Sequence, residues 1–308
     1  MKTIDVRGMT DRGLSIALAA CKKKYETAED DYPLHRALRS LGVTVSLPVW
    51  NQENHDWRQY NLVVPRTTWD YQQHFPDFCR WLEGLENTTL LCNPIATLLW
   101  DAHKKYLKDV EAAGVRVMPT VFVGENGDVG AQVRQAIAKH GRGRVLIKPA
   151  VGASSSDCMV FDASDAAAAV SHAQKLLSGA QDMVLVQPFS SSVVLLGEYS
   201  LMLWDGKPSH GVHKTSSSSS EFRVQEEHGG TNEAWPEPPK EVVEMAIRAC
   251  ECAPGGWHYA RCDFLNDEEL GWCLIELEML EPSFYLEFAE EQEVKRLASM
   301  LQRLAKGV

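Results

Sequence analysis

The sequence lacks the basic excess that nucleic-acid and anionic-membrane binders use. Lys and Arg total 31 against 42 Asp and Glu, a formal charge of −11 over 308 residues, and this argues against both partner classes. No apolar run approaches the roughly 18 residues of a membrane-spanning helix. The first twenty residues do not read as a secretion signal: Asp5 and Asp11 break the charge pattern, and the apolar stretch from Leu14 to Cys21 ends in Lys22-Lys23-Lys24. The eight cysteines show no paired spacing, which suits a reduced, cytoplasmic chain better than a disulfide framework. Cys250, Cys252, Cys262 and Cys273 make a poor zinc set, since two cysteines two apart on a helix point apart. There is neither a Walker A loop nor a G-x-G-x-x-G fingerprint. Local binding of a small anion stays open, with a metal ion or a few placed cations to neutralise it.

What is present suffices for a substantial core: 44% of residues are hydrophobic, and the length suggests about two domains. Periodicity predicts a strand over 15–20, a helix over 31–41 stopped at Gly42, strands over 43–49 and 62–64, and a helix over 75–85. That order reads as an open α/β layer with a parallel sheet. A helix over 98–113, a strand over 120–123, a turn over 125–128, a helix over 131–140, a strand pair over 144–148 and 158–161, a helix over 163–177 and a strand over 183–187 read as a small α+β module. Beyond it come a hairpin (198–204 and 208–214) around Asp205-Gly206, the five-serine loop Ser216–Ser220, and a strand-like stretch over 221–225. A helix over 241–252, strands over 259–265 and 272–280, and a closing helix over 290–304 complete the chain.

The last strand pair carries the most local information. Arg261 and Asp263 share one strand face with Tyr259, and Glu276 and Glu278 share another. The turn-rich 266–271 makes the two strands an antiparallel hairpin, so three carboxylates project beside an arginine. Acids at alternate strand positions ordinarily face water. Here the other residues of the second strand are apolar, which implies burial, and buried carboxylates repel unless a cation neutralises them. Oxygen ligands without Cys or His favour Mg²⁺ or Mn²⁺. Upstream, the strand ending at Lys148 runs into a loop of small residues, Gly152, Ala153, Ser154, Ser155 and Ser156. Backbone N–H groups of such a loop can approach phosphates closely while the lysine supplies a point charge.

In order along the chain, these motifs resemble the ATP-grasp superfamily of carboxylate–amine ligases. More narrowly they are similar to the branch with the D-cycloserine-forming cyclo-ligase and the ribosomal-protein glutamate ligase. The residues that carry the resemblance are Arg66-Thr67-Thr68-Trp69-Asp70-Tyr71, Trp100 with Lys104-Lys105-Tyr106-Leu107, Val186-Gln187-Pro188-Phe189, Gly197-Glu198, Glu221-Phe222-Arg223-Val224-Gln225 and Glu276-Leu277-Glu278-Met279-Leu280-Glu281-Pro282-Ser283. The resemblance implies an α/β (α+β) ATP-grasp fold: an N-terminal open α/β domain over 1–103, a central lid over 104–187 and a C-terminal antiparallel-sheet domain over 188–308. It implies that Lys104 and Lys148 contact the ATP phosphates under the loop from Gly152 to Ser156. Gln187, Pro188 and Phe189 then meet the adenine, and Glu198 lies beside the nucleotide. Asp263, Glu276 and Glu278 hold one or two Mg²⁺ (or Mn²⁺) ions. Glu278 stands where many superfamily members carry Asn, which leaves the number of metals open. Lys214, Arg223 and Arg261 face the γ-phosphate and the substrate carboxylate.

The implied chemistry is activation of a carboxylate as an acyl phosphate, followed by attack of an amine, with ADP and phosphate released. Two anions meet in the first step, so cations and metal ions must offset their repulsion. The expected partners are small-molecule carboxylate and amine substrates, and a homodimer is the ordinary prior for a compact enzyme. Arg66, Trp69 and Asp70 follow a first-domain strand, where open α/β sheets place ligands; Arg66 is expected to pair a substrate carboxylate and Asp70 an amino group. The competing reading makes Arg66 a structural ion pair and Trp69 a packing aromatic. Two rival functions also stay open, a degenerate nucleotide-binding module and a small-molecule kinase.

Overall fold

The computed structural model describes residues 13–22, 31–124, 126–179 and 181–308. Most of the polar segment ahead of Ser15, Lys23-Lys24 and the turn residue Glu125 lie outside the described residues. Among the described residues no helix is long and apolar enough to cross a membrane.

Three four- or five-stranded sheets follow one another along the chain. The first is parallel, in the order β2 (Thr44–Ser46), β1 (Ser15–Ala20), β3 (Leu62–Thr67), β4 (Leu90–Leu91). Its strands are joined by α1 (Tyr32–Ser40) and α2 (Phe75–Leu85). The chain leaves β1 to one side for β2 and then returns to the other side for β3. This reversal leaves a crevice at the carboxyl ends of β1 and β3. Thr67, the last residue of β3, opens onto the cleft described below.

The second sheet is antiparallel, ordered β5 (Val121–Gly124), β8 (Met183–Pro188), β6 (Arg144–Pro149), β7 (Met159–Asp162). The two-residue repeat of β6 sends Val145 and Ile147 into a core with α5 (Val129–His140) and α6 (Ala166–Leu177). Leu146 and Lys148, the alternate set, face the cleft. The third sheet is also antiparallel, ordered β11 (Thr231–Trp235), β10 (Lys207–Thr215), β9 (Glu198–Trp204), β12 (Tyr259–Asp267), β13 (Gly271–Glu278). Ala260, Cys262 and Phe264 of β12 pack with Val242, Ala246 and Ala249 of α8 (Lys240–Cys250), and Arg261, Asp263 and Leu265 face the cleft. The closing helix α9 (Glu291–Ala305) buries Val294, Leu297 and Leu301 in a core shared by first-sheet residues such as Ile16 and third-sheet residues such as Trp204.

Two expectations change. The helix over 98–113 is two helices, α3 (Ile95–Asp101) and α4 (Leu107–Ala112), separated by a 3-10 turn at Lys104–Tyr106. His103 is extended there and its Nδ1 accepts the Lys105 N–H. The Lys104 N–H donates to the Ala150 carbonyl at 2.8 Å, so the break docks this turn against the start of the small-residue loop after β6. From Tyr106 to Val117 the segment packs in the third-sheet core. The strand-like stretch 221–225 is irregular, and the edge strand falls later, at β11. Gly230 fits closely against the Val224 carbonyl, where a Cβ would collide, so the loop folds back on itself before β11 begins.

An ion pair helps tie the second sheet to the third. Arg142, just ahead of β6, makes a two-toothed ion pair with Asp267 at the β12–β13 turn, at 2.8 Å for both bonds. The Glu269 and Leu270 N–H groups donate to the same Asp267 carboxylate.

Candidate active site

A cavity of about 720 Å³ lies among the three sheets, and every residue assigned a site role from sequence lines it except Arg66 and Asp70. The β12–β13 register sets Arg261 opposite Glu278 and Asp263 opposite Glu276, with a bulge just after Asp263. Side chains of both strands therefore converge, and one carboxylate oxygen from each of Asp263, Glu276 and Glu278 lies within 4.8 Å of the others. An all-carboxylate set at that spacing suits a hard divalent cation.

Each of these acids is also held by a protein cation. Arg261 binds Asp263 through Nε at 3.0 Å and Nη2 at 2.9 Å, and reaches Glu278 as well. Lys214 pairs with Glu198 and stands 3.5 Å from Asp263, and Ser200 donates its hydroxyl to Asp263. The Lys104 ammonium bridges Glu276 and the Gly152 carbonyl, both at 2.9 Å. Burial pushes the Asp263 carboxyl up, but Arg261 and Lys214 more than offset it and hold it well below the usual range. Burial likewise opposes the charge on Glu276, and Lys104 and Lys148 bring it below normal. Glu278 goes the other way: burial, with the like charges of Glu276 and Glu281 against Arg261, raises it to about 8. Its side chain is 25% exposed, and that opening faces the cleft. Burial lowers Lys148, with Glu276 opposing and Lys104 adding to the shift.

The small-residue loop runs from Lys148, whose ammonium donates to the Ile275 carbonyl at 3.3 Å. Ser154, Ser155 and Asp157 adopt left-handed backbone, with φ of 51°, 52° and 59°. Such conformations turn backbone N–H groups into a concavity that accepts anions. Gln225 donates to Ser155 Oγ at 2.9 Å, which links this loop to the one after the five serines. The apolar part of the cavity is built by Met118, Leu146, Phe189, Val193, Phe222 and Leu265. Arg144 lies over the Phe189 ring at 4.3 Å. Gln187 donates to Thr120 at 2.8 Å, and Arg223 is paired with Glu221 at the cavity wall.

Of the three residues expected on the substrate side, Trp69 lines the cavity and Arg66 and Asp70 do not. Arg66 is buried, grips Asp31 with two nitrogens, donates to the Pro282 carbonyl at 2.8 Å and lies 3.7 Å from the Phe284 ring centroid. It is a structural ion pair and does not line the cavity. Asp70 accepts the Trp50 indole N–H at 2.7 Å and is likewise outside the cavity. Trp69 does line it, with its indole donating to the Glu281 carbonyl at 3.1 Å. Sequence reasoning assigned no role to Glu281 or Tyr285, which also line the cavity. Glu281 lies past the end of β13, where strand alternation no longer tells which way a side chain points. Tyr285 takes a left-handed conformation, φ 49°, which no local signal announces.

Solved structures share this arrangement of sheets. D-alanine–D-alanine ligase from Bacillus anthracis, in complex with ATP, matches with a TM-score of 0.67 at 12% identity, over 96% of this chain and 97% of its own, a likeness of fold alone. The crystal structure of D-cycloserine synthetase DcsG matches with a TM-score of 0.86 at 27% identity, over 94% of this chain and 99% of its own. Fold and site together define an ATP-grasp enzyme, an ATP-dependent carboxylate–amine ligase. Within that class the chain is a homologue of D-cycloserine synthetase. It is 28% identical over 281 residues to the cycloserine biosynthesis protein DcsG of Streptomyces lavendulae, covering 88% of this chain and 93% of the relative. A family model described as the N-terminal domain of D-cycloserine synthetase DcsG matches residues 16–93.

Proposed function

We propose that the protein activates the carboxylate of a small amino-acid-like substrate as an acyl phosphate and closes a C–N bond on it, with Mg²⁺ and ATP bound in the 720 Å³ cavity. The observation that carries this reading is the meeting of Asp263, Glu276 and Glu278 with Lys104, Lys148, Lys214 and Arg261 in one enclosed space. The three carboxylates would hold the metal, which neutralises the transferring phosphoryl group when bound. Lys104, Lys148 and the N–H groups from Gly152 to Ser156 would hold the phosphates, and the Phe189–Phe222 end has the apolar lining a purine needs. Lys214, Arg223 and Arg261 would bring the substrate carboxylate to the γ-phosphate, the step in which two anions must approach. Residues 104–187 act in this reading as a lid between an N-terminal substrate side and a C-terminal metal-bearing part. The lid would exclude water from the acyl phosphate, which otherwise hydrolyses.

The cycloserine relatives favour intramolecular ring closure over the joining of two amino acids. The reading keeps the enzyme in the cytoplasm, with small molecules as its substrates. The test is ADP release with O-ureido-D-serine, with D-alanine as the alternative substrate, in the presence and absence of hydroxylamine. Hydroxamate formation identifies the acyl phosphate. A stable phosphate ester would instead make the protein a kinase, and nucleotide binding without turnover would make it a binding module.

A further inference from the structure

The ligase reading leaves one buried acid of the cleft without work. Of the carboxylates lining the cavity, Glu198, Asp263 and Glu281 are buried, at 9%, 2% and 5% exposure. Glu198 is neutralised by Lys214, and Asp263 by Arg261 and Lys214. The Glu281 carboxylate has no hydrogen bond or ion pair from any described residue, yet it borders the cavity. Its main chain is firmly held: the Glu281 carbonyl accepts from Trp69, and the adjoining Pro282 carbonyl accepts from Arg66. A carboxylate fixed in a site with little water calls for a cation. Two sources of that cation are already committed. Arg261 and Lys104 are bonded to Asp263, Glu278 and Glu276, and the cluster of oxygens spaced for a metal holds Asp263, Glu276 and Glu278 without Glu281. Burial raises the Glu281 carboxyl to about 7, so without a ligand it can take up a proton; the remaining source of a cation for its ionised form is the ligand.

We propose that Glu281 is the ammonium site of the substrate: its carboxylate receives the α-amino group and restricts the substrate to zwitterionic α-amino acids. The site stands on the first-sheet side of the cleft, anchored by Trp69 and Arg66, whereas the apolar end is built partly from Leu146 and Phe189. An amino acid bound here would offer its carboxylate to the arginine and lysine cluster while its ammonium rests on Glu281. That two-point grip orients the reacting carboxylate, and a hydroxy acid could use only half of it.

The inference rests on the ligase reading, and one set of measurements separates the two. ADP release is measured for the unaltered protein and for Glu281→Gln, with O-ureido-D-serine and with the analogue in which a hydroxyl replaces the α-amino group. A charge-assisted hydrogen bond is worth about 10- to 100-fold in recognition. Glu281→Gln should therefore raise the KM for the amino substrate by about that factor, leave the hydroxy analogue within about twofold, and leave the ATP KM and the Mg²⁺ requirement unmoved. Glu281→Asp should retain part of the preference for the amino substrate. Equal losses for both substrates would overturn the proposal, as would a shifted Mg²⁺ requirement, which would make Glu281 a metal ligand. Failure of the unaltered protein to release ADP with either substrate would overturn the ligase reading itself, and the proposal with it. Binding of a fluorescent ATP analogue confirms that each variant is folded.

Discussion

Breaking the Arg142–Asp267 pair by Arg142→Met should loosen the lid without touching the nucleotide. Asp267 is almost completely covered, at 2% side-chain exposure, whereas Arg142 sits at the edge at 17%. Exposed pairs contribute about 0–1 kcal/mol, and losing one partner of a fully buried pair costs about 3–5 kcal/mol. The intermediate burial here places the loss near 2 kcal/mol. Because the pair joins the start of β6 to the β12–β13 turn, the loss should fall on lid opening. Hydrogen exchange of the β6 and β7 amides should then quicken about 30-fold, while amides of β9 and β12 hold their rates. The pH dependence has a definite sign. The Arg142 hydrogen bonds, against the opposing effect of burial, hold the Asp267 carboxyl well below its ordinary 3.8. A depressed carboxyl stabilises fully above its unfolded value and loses that contribution as pH falls through the folded one. The difference between the unaltered protein and Arg142→Met should be constant from pH 8 to 5 and shrink below about pH 4. Uniform exchange rates in the lid, or a double-mutant cycle with Asp267→Asn giving a coupling under about 0.5 kcal/mol, would refute the reasoning.

Other outcomes follow from the same geometry. Glu276→Ala should lower kcat for ADP release by about 100-fold or more, since on the proposed reading it removes a metal ligand, and it leaves Lys104 without its partner; substrate-dependent turnover at the unaltered rate would dismiss the metal assignment. Glu278, raised to about 8 by burial, must give up a proton to bind a metal. The free Mg²⁺ needed for half-maximal activity should accordingly fall between pH 6.5 and 8.5, and Glu278→Gln should flatten that profile. Arg66→Met should cost stability of about 3–5 kcal/mol by stranding Asp31, with the substrate KM unchanged at a temperature where the variant is folded. A large KM effect with no loss of stability would restore Arg66 to the substrate site.

Much of the site was legible because β12 and β13 obey a two-residue repeat. Apolar residues at one set of positions force Asp263, Glu276 and Glu278 to the other, and the turn between fixes their pairing. Lys148 stood out for a different reason, as the end of a strand that runs into a loop of small residues. What escaped was set by contacts distant in sequence. The helical spacing over 98–113 continues through His103, but the Lys104 N–H bond to Ala150 breaks the helix there. Phe222 and Val224 mimic strand alternation because both line the cleft from an irregular loop. The true edge strand, Thr231–Trp235, is too polar to stand out. Arg66 has the chemistry of a carboxylate binder, and its partner Asp31 lies 35 residues earlier, on the far side of a crossover.

The pairing of the cleft's metal-site acids with protein cations makes nucleotide binding an exchange of counterions. Lys104, Lys214 and Arg261 neutralise Glu276, Glu198, Asp263 and Glu278 when no ligand is present. Phosphates arriving alone would draw those cations away and strand the carboxylates; a divalent ion arriving alone would strand the cations. Only the two together leave these paired charges matched. If the proposed site roles hold, the cleft would work as a coincidence detector for the metal–nucleotide complex, one that rejects either component by leaving the other half of its own charge uncompensated.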